Sequence, residues 1–286
     1  MSEAAFAILP YEIRLGKSYD QIACADLIWP QGCPDRLVDG CLADMGPEDH
    51  LLVYPRSEYH IKPFRRLKAK LSLMVQEPRC VHQKHRSLLR LSHRKFFRVL
   101  SHDKALVAGL PNGVFVPFGT TWVPDWQERD LSKSKSCSLI ASAKRSQEGH
   151  RLRHEIVEWA RQETLDITAM GGGYQPFQDK ADGLAAFRYS VVIENGREPD
   201  YFSEKLIDAL VCLTVPIYWG SPNIDAYIPT DAMILCEAKQ DIQSAMTQVS
   251  AQDYAARVPA LQEARQAALK YFDLEGRSVA ALIASL

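Results

Sequence analysis

The chain has 286 residues, of which 47% are hydrophobic and 24% charged, and its formal net charge at pH 7 is −1. This composition is typical of an ordinary soluble protein with one large or two smaller domains. No apolar run approaches the roughly 20 residues of a membrane-spanning helix, and the N-terminus does not resemble a signal peptide, so we expect a cytoplasmic protein.

The seven cysteines are widely spread, odd in number and never arranged as Cys-x-x-Cys. This pattern disfavours both a structural zinc site and a disulfide framework. We therefore expect reduced, mostly structural thiols.

Charge is unevenly distributed along the chain. Residues 60–104 contain 13 Lys and Arg but only two acids, a net +11, and the remainder carries −12. The asymmetry indicates either an anionic partner or a solvated basic face. Without a defensible helix-turn-helix or aromatic-interleaved pattern, nucleic acid is disfavoured. We expect peripheral contact through 60–104 with an anionic membrane surface, at the inner face.

The first half is irregular, with candidate strands at 71–78, 96–102 and 113–119 and a helix at 82–91. A polar stretch at 117–136 with two prolines is typical of an interdomain linker. We predict a smaller N-terminal α/β domain over 1–125 and a C-terminal domain over 126–286.

The second half alternates apolar strands with helices, which is typical of a parallel sheet covered on both faces. The strands are predicted at 137–143, 165–173, 188–195, 215–220 and 232–236, and the helices at 149–163, 180–187, 203–213, 239–250 and 253–273. This domain is predicted to be Rossmann-like, and two facing α/β domains would leave a ligand-binding cleft.

The stretch YSVVIENGREPDYFSEKLIDALVCLTVPIYWGSPNI, residues 189–224, carries the candidate binding site. Ligands of parallel sheets bind beyond the carboxyl ends of strands, where Glu194 and Asn195 lie. Ser203 is a good N-cap, and the following helix start favours phosphate. Lys205 is electrostatically unfavourable there unless an anion is bound. The alternative is a plain helix cap with a solvated lysine.

This stretch closely resembles the signature of glycosyltransferase family 10, the α-1,3/4-fucosyltransferases, and the resemblance extends loosely over 138–234. It implies a GT-B fold of two Rossmann-like domains facing a cleft, the C-terminal one clearer in this sequence than the N-terminal one. It also implies inverting transfer from GDP-fucose to a glycan or lipid-linked glycan acceptor, without a metal or other cofactor. In keeping with that, the sequence has no Asp-x-Asp.

The resemblance implies that Lys205 contacts the diphosphate and Glu204 the ribose of GDP. Asn195 and Tyr201 would shape the same pocket, where the tyrosine ring could stack on the ligand, and Glu194 ends the strand beneath it.

The family also places a phosphate-binding arginine on the first helix of this domain, and this sequence offers Arg151 and Arg153. We prefer Arg153, because the apolar positions 156, 157 and 160 form a stripe behind it. For either arginine, the alternative is a solvated helix residue. The loop 196–199 departs from the family in charge and length, which leaves the sugar preference open.

The family supplies the catalytic base from the N-terminal domain, after a strand. Glu77 is the acid in the matching place, and surrounding positive charge would keep it ionised. A structural glutamate at a strand end is the alternative.

The sequence thus favours a fucosyltransferase-like enzyme of surface polysaccharide or glycolipid synthesis. A transferase that uses another nucleotide sugar and a non-catalytic nucleotide or sugar sensor both stay open.

Overall fold

The structure is a computed structural model that describes residues 3–286 and divides into two compact units. The first unit consists of the residues up to Pro117 together with Leu274–Leu286. The second unit is Phe118–Asp273. Among residues 3–286, every helix is too short or too polar to span a bilayer.

The first unit contains a five-stranded parallel sheet whose strands follow one another in chain order, β1-β2-β3-β4-β5. The strands are β1 (Phe6–Ile8), β2 (His50–Val53), β3 (Lys70–Val75), β4 (Val99–Ser101) and β5 (Gly113–Phe115). The helices α1 (Arg79–Ser92) and α2 (Lys104–Ala108) connect β3 to β4 and β4 to β5.

A sheet wound in one direction by right-handed crossovers has its connections on one face. Accordingly, inward side chains such as Leu51 and Leu73 pack with residues of the connecting segments, including Leu89 of α1. The alternate residues, among them Leu52 and Met74, point to the opposite face of the sheet, which these connections leave exposed to solvent.

That opposite face is covered by the last helix of the chain, α7 (Leu274–Ala284). Val279 and Leu282 are buried against it. Polar contacts fix the helix ends: Tyr54 donates to Glu275 Oε1 over 2.9 Å, and Arg98 Nη2 donates to Ser285 O over 2.6 Å. A distant segment therefore completes the N-terminal core.

The second unit also contains a five-stranded parallel sheet, in the order β10-β9-β8-β6-β7. Its strands are β6 (Lys135–Ile140), β7 (Ile167–Met170), β8 (Phe187–Ile193), β9 (Val215–Trp219) and β10 (Ile234–Leu235). Its helices are α3 (Glu148–Gln162), α4 (Glu204–Val211), α5 (Lys239–Gln248) and α6 (Ala251–Ala268). Packing pairs α3 with α5 and α4 with α6. Both sheet faces are thereby covered, as the continuous apolar strands predict.

The chain reverses its direction across this sheet between β6 and β8, because β7 lies on one side of β6 and β8 on the other. In doubly wound sheets this reversal opens a crevice at the carboxyl ends of the two central strands. The helices α3 and α4 begin just after those strand ends.

The α/β class with two parallel sheets is confirmed, and the units differ from the predicted ranges in two respects. The chain divides after Pro117 rather than after residue 125, and the terminal helix α7 belongs to the first unit because only there does its apolar face find an uncovered sheet. The helix predicted at 180–187 is a single 3₁₀ turn at Lys180–Gly183. Strands β1 and β2 were not predicted.

Candidate functional site

The candidate site lies at the switch point of the second unit, where α3 approaches the end of β8 very closely. A side chain at Gly149 would place its Cβ 1.7 Å from Glu194 O, so only glycine allows this approach. The Gly149 N–H donates to Asn195 O over 3.3 Å. The start of α3 is thus bonded to the strand end that carries Glu194 and Asn195.

Glu194 joins the end of β8 to the start of α4. It is fully buried, and its carboxylate accepts from both the backbone N–H of Ser203 (2.8 Å) and the Ser203 hydroxyl (2.6 Å). Burial raises the pKa of Glu194, and the nearby Lys205 opposes this rise. Because both oxygens are engaged with Ser203, the role that Glu194 has in this structure is to position α4.

Lys205 is held by acidic neighbours rather than standing alone at the helix start. Its Nζ lies 2.9 Å from Glu204 Oε1 and 3.8 Å from Glu194 Oε2, and donates to Ser203 Oγ over 3.1 Å. The unfavourable position of a cation at a helix N-terminus is therefore offset within the protein itself. Its side chain is 22% exposed, so it is not fully enclosed by the protein.

Glu204 is ionised by the same cluster of charges. Its burial acts to raise its pKa, but Lys205 and Lys180 outweigh that effect and lower the pKa to about 2. For Lys205 the signs are reversed: burial lowers its pKa, and Glu204 with Glu194 raises it above the usual value. The pair is thus a tightly coupled ion pair.

Arg153 lies inside the unit and faces the strand end. Its Nε donates to Ile193 O over 2.9 Å, Nη2 also bonds Ile193 O, and Nη2 reaches Asn195 Oδ1 at 3.2 Å. Burial lowers its pKa, and Glu194 is the main opposing charge. Arg151 is exposed and donates to Ser146 O over 3.2 Å. Arg153, the arginine that the apolar stripe favoured, thus faces inward, and its role in binding phosphate stays a prediction.

Sequence reasoning missed a second buried charge pair beside α4. Lys180 Nζ lies 4.0 Å from Asp208 Oδ2. Asp208 is fully buried, and its Oδ1 accepts from Thr121 Oγ1 (2.7 Å) and from the Trp122 N–H (3.0 Å). Burial raises its pKa to about 6 although Lys180 opposes the rise. One signal was available: Asp208 interrupts an apolar helix four residues after Glu204, which places both acids on one face.

The loop between β8 and α4 is fixed by its own hydrogen bonds. Asp200, at φ 62°, accepts from Asn223 Nδ2 over 2.8 Å and from the Tyr227 hydroxyl, and its N–H donates to Asn223 Oδ1 over 2.8 Å. The next residue, Tyr201, is 1% exposed, with its ring 5.8 Å from that of Phe118. The ring predicted to stack on a ligand thus lies in the interior of the unit, where it supports the loop.

Glu77 belongs to the first unit, so the structure does not group it with the other candidates. It follows β3 at the carboxyl end of that strand and precedes α1, and it is half-buried. The position after a strand matches the expectation for a catalytic base, and its role stays a prediction.

The candidate site lies within the part of the chain that a family model matches. The family model described as glycosyltransferase family 10 (fucosyltransferase), C-terminal domain, matches residues 126–276. The chain belongs to this family. The matched range contains the switch point, both charge pairs and the start of α4, so the family's defining region is the unit in which these groups converge.

Two curated relatives match part of the chain. A fucosyltransferase-like protein of Arabidopsis thaliana is 29% identical over 126 residues, 41% of this chain and 25% of that protein. An α-1,3-fucosyltransferase of Helicobacter pylori is 38% identical over 47 residues, 16% of this chain and 10% of that protein. The matches thus span a quarter or less of these relatives.

Solved structures show the same fold at low sequence identity. An α1,3-fucosyltransferase with GDP-fucose has a TM-score of 0.50 and 16% identity, covering 81% of this chain and 80% of that one. TarM has a TM-score of 0.56 and 10% identity, covering 83% and 55% of the two chains. These likenesses confirm the GT-B fold class of a glycosyltransferase.

Within residues 3–286, no group of three or more His, Cys, Asp and Glu side chains is arranged to hold a metal ion. The concentrated charges at the switch point are instead three cations, Arg153, Lys180 and Lys205, interleaved with carboxylates.

Proposed function

We propose that this glycosyltransferase transfers fucose, with inversion, from GDP-fucose to a glycan acceptor of a surface polysaccharide or glycolipid. The observation that carries the proposal is Lys205 at the start of α4, whose side chain is 22% exposed and whose ammonium lies beside Glu204 and near Glu194 at the carboxyl end of β8. Family membership and the names of the relatives support a nucleotide-sugar donor of this kind.

The diphosphate of the donor would take the place that carboxylates now hold around Lys205. The helix N–H groups and the exposed part of Lys205 favour an anion. Arg153 and Lys180 add further positive charge near Lys205. Both lie close enough to Glu204 and Lys205 for their charges to be felt in the pKa values of this group of residues. As the bond to fucose breaks, negative charge grows on the leaving phosphate and these contacts strengthen.

Glu204 and Asn195 are proposed to accept hydrogen bonds from ribose hydroxyls. The low pKa of Glu204 keeps its carboxylate ionised at neutral pH. Glu77 is proposed as the base that takes the proton of the acceptor hydroxyl while its oxygen attacks the anomeric carbon. The GDP leaving group departs from the opposite side of that carbon, which inverts the configuration.

A thermal-shift comparison of GDP, GDP-fucose, UDP-sugars and CMP-sugars tests the donor class. A ligand at 100 times its dissociation constant adds about 2.7 kcal/mol to the free energy of unfolding. GDP compounds should stabilise the protein and the others should not. Equal stabilisation by UDP-sugars would favour a different nucleotide sugar, and GDP binding without any turnover would favour a sensor.

Metal independence is part of the proposal, because Lys205, Arg153 and Lys180 would supply the charge that a divalent cation supplies elsewhere. We expect the turnover of the purified enzyme to be unchanged by EDTA. A loss of activity that Mn²⁺ restores would contradict this part of the mechanism.

Peripheral attachment to an anionic membrane is proposed as well, through exposed cations of 60–104. Lys62, Arg65 and Lys68 are exposed, and Ile61 beside them is 71% exposed. Such a combination of cations and an apolar side chain suits a surface of anionic lipids, where a lipid-linked acceptor would be found.

A further inference from the structure

A cavity of about 420 Å³ lies in the first unit between α1 and α2. Its α1 wall carries three arginines, Arg79, Arg86 and Arg90, together with Gln83 and Ser87. The facing wall is apolar and is formed by Ala105, Leu106 and Leu110. We call this space the arginine cavity. Its volume is within the usual range for sites of small organic ligands.

The arginines reach one cavity because of their positions along α1. Arg86 and Arg90 are four residues apart, about one helical turn, whereas Arg79 precedes a kink of the helix at His82 and is held toward the cavity by Asp103. Gln83 and Ser87 fill the intervening positions of the same face. The wall is therefore a continuous row of hydrogen-bond donors.

A buried acid holds two of the arginines in place. Asp103 is 6% exposed, and its carboxylate accepts from Arg79 Nε over 3.1 Å and pairs with Arg86 Nη1. The same carboxylate caps α2 by accepting from the Leu106 N–H over 3.0 Å. Burial acts to raise the pKa of Asp103, but these partners lower it below its usual value. Asp103 thus fixes the two guanidinium groups before any ligand arrives.

The lining of the cavity contains three arginines and no acidic residue. Arg79 and Arg86 are both engaged by Asp103. Arg90 is exposed, and among the residues that the structure describes its side chain makes no hydrogen bond or ion pair. A guanidinium with unused donors therefore borders the cavity.

We propose that the arginine cavity binds the phosphate group of a small phosphate ester, whose organic part covers the apolar wall of α2. Guanidinium forks match phosphate oxygens in geometry and charge, and the terminal oxygens of a phosphate can serve more than one arginine at once. A carboxylate has one oxygen fewer and would leave donors unused. The apolar wall selects an esterified phosphate over inorganic phosphate.

The residues that line the arginine cavity all belong to the first unit, and none is a candidate for donor binding. The proposal also differs from loose attachment to a membrane, in which any exposed cation of 60–104 contributes equally. A variant at the cavity and a variant at another exposed cation of the same segment therefore distinguish the two.

Titration calorimetry with phenyl phosphate tests the proposal, with Arg90→Glu compared with Arg94→Glu. Arg94 is an exposed residue of the same segment that does not line the cavity, so both variants change the net charge equally. Loss of a charge-assisted contact should weaken binding in Arg90→Glu by about tenfold or more, and Arg94→Glu should bind like the wild type. Inorganic phosphate and benzoate should bind more weakly than phenyl phosphate.

Sedimentation with vesicles of phosphatidic acid and phosphatidylcholine distinguishes a lipid headgroup from a free phosphate ester. Retention that Arg90→Glu abolishes and Arg94→Glu keeps would support the cavity with a lipid headgroup as its ligand. If the two variants bind phenyl phosphate and vesicles to the same extent, whether both retain binding or both lose it, the proposal is overturned. Phenyl phosphate that binds at the donor site would bind equally to both variants. It therefore cannot produce the expected difference in affinity between Arg90→Glu and Arg94→Glu.

Discussion

At the scale of single residues, Lys205 is the side chain whose removal is most informative. Lys205→Ala should lower turnover by about 10² or more, because the leaving diphosphate loses a contact that strengthens in the transition state. Initial rates with GDP-fucose and a glycan acceptor measure this.

The matched control is Lys270→Ala, an exposed lysine of the same unit that is outside the site. The thermal unfolding of both variants should be recorded, since Lys205→Ala leaves Glu194 and Glu204 without their nearest cation. A folded Lys205→Ala with near-normal turnover would remove this lysine from the mechanism.

The raised pKa of Asp208 can be tested by measuring the free energy of unfolding as a function of pH. Its pKa is raised from 3.8 to about 6 in the folded protein, so between these values the folded state binds more protons than the unfolded state. Linkage then lowers the free energy of unfolding as pH rises through that window. Asp208→Asn removes this decline and keeps an oxygen for the Thr121 and Trp122 contacts.

We therefore expect the stability of Asp208→Asn relative to wild type to increase between pH 4 and 7 by on the order of 3 kcal/mol. Urea unfolding followed by tryptophan fluorescence is suitable, because four of the five tryptophans lie between residues 118 and 273. A constant offset from the altered Lys180 pair does not change the difference in slope between the two pH profiles. Parallel pH profiles would mean that Asp208 is ionised normally.

Part of the site could be predicted at the residue scale because its signals are local. The Ser203 cap, the adjacent Glu204 and Lys205, and the inward face of α3 that carries Arg153 all follow from short-range patterns. The partners of these groups could not be predicted in the same way. The hydrogen bond between Glu194 and Ser203 and the charge pair of Lys180 with Asp208 depend on segments that the sheet brings together.

At the scale of elements, the close approach of α3 to β8 predicts an intolerance at Gly149. Gly149→Ala would bring a Cβ within 1.7 Å of Glu194 O, and a backbone atom cannot move aside as a flexible side chain can. We expect the variant to lose about 1–3 kcal/mol of stability and to weaken binding of GDP, since α3 and the strand end must separate.

Gly172→Ala is the matched control in the same unit, because no heavy atom lies within 4 Å of its added Cβ. Chemical denaturation and GDP titration measure the two effects. Similar behaviour of the two alanine variants would show that the contact between α3 and β8 does not position the site.

From β6 to α6, where apolar runs are long and alternate with helices, the sequence predicted the elements well except for the 3₁₀ turn at Lys180–Gly183. Strands β1 and β2 have only three and four residues and are joined by irregular 3₁₀ turns, so no periodicity develops over them. The helix α7 has an apolar face, but nothing in its local sequence indicates which sheet it covers.

At the scale of the whole molecule, the basic segment should produce salt-dependent binding to membranes. Some of its cations are neutralised by acids from elsewhere in the first unit: Arg66 lies 3.3 Å from Asp20, and Lys70 lies 2.9 Å from Glu48. The exposed remainder should bind anionic vesicles at low salt and be released by about 0.5 M salt, where screening is short-ranged.

Co-sedimentation with anionic and neutral vesicles over a salt series measures this binding. The double variant Lys62→Glu, Arg65→Glu should bind less than the charge-matched control Lys144→Glu, Lys270→Glu, whose sites are exposed on the second unit. Equal retention on neutral and anionic vesicles would mean that the segment is a solvated face, and a soluble acceptor would become the better proposal.

The return of α7 to the first unit has a consequence for the order in which the protein acquires its structure during translation. The ribosome completes β5 at Phe115 long before it adds Leu274, and the second unit is synthesised in between. Throughout that interval, the sheet face that includes Leu52, Met74 and Leu100 has no permanent cover. The second unit is contiguous, so all of its residues are on the nascent chain before Leu274 is added, whereas the first unit must wait with an apolar surface open to chaperones or to neighbouring chains. Expression from templates that stop before codon 274 should therefore yield aggregates of the unit that was made first.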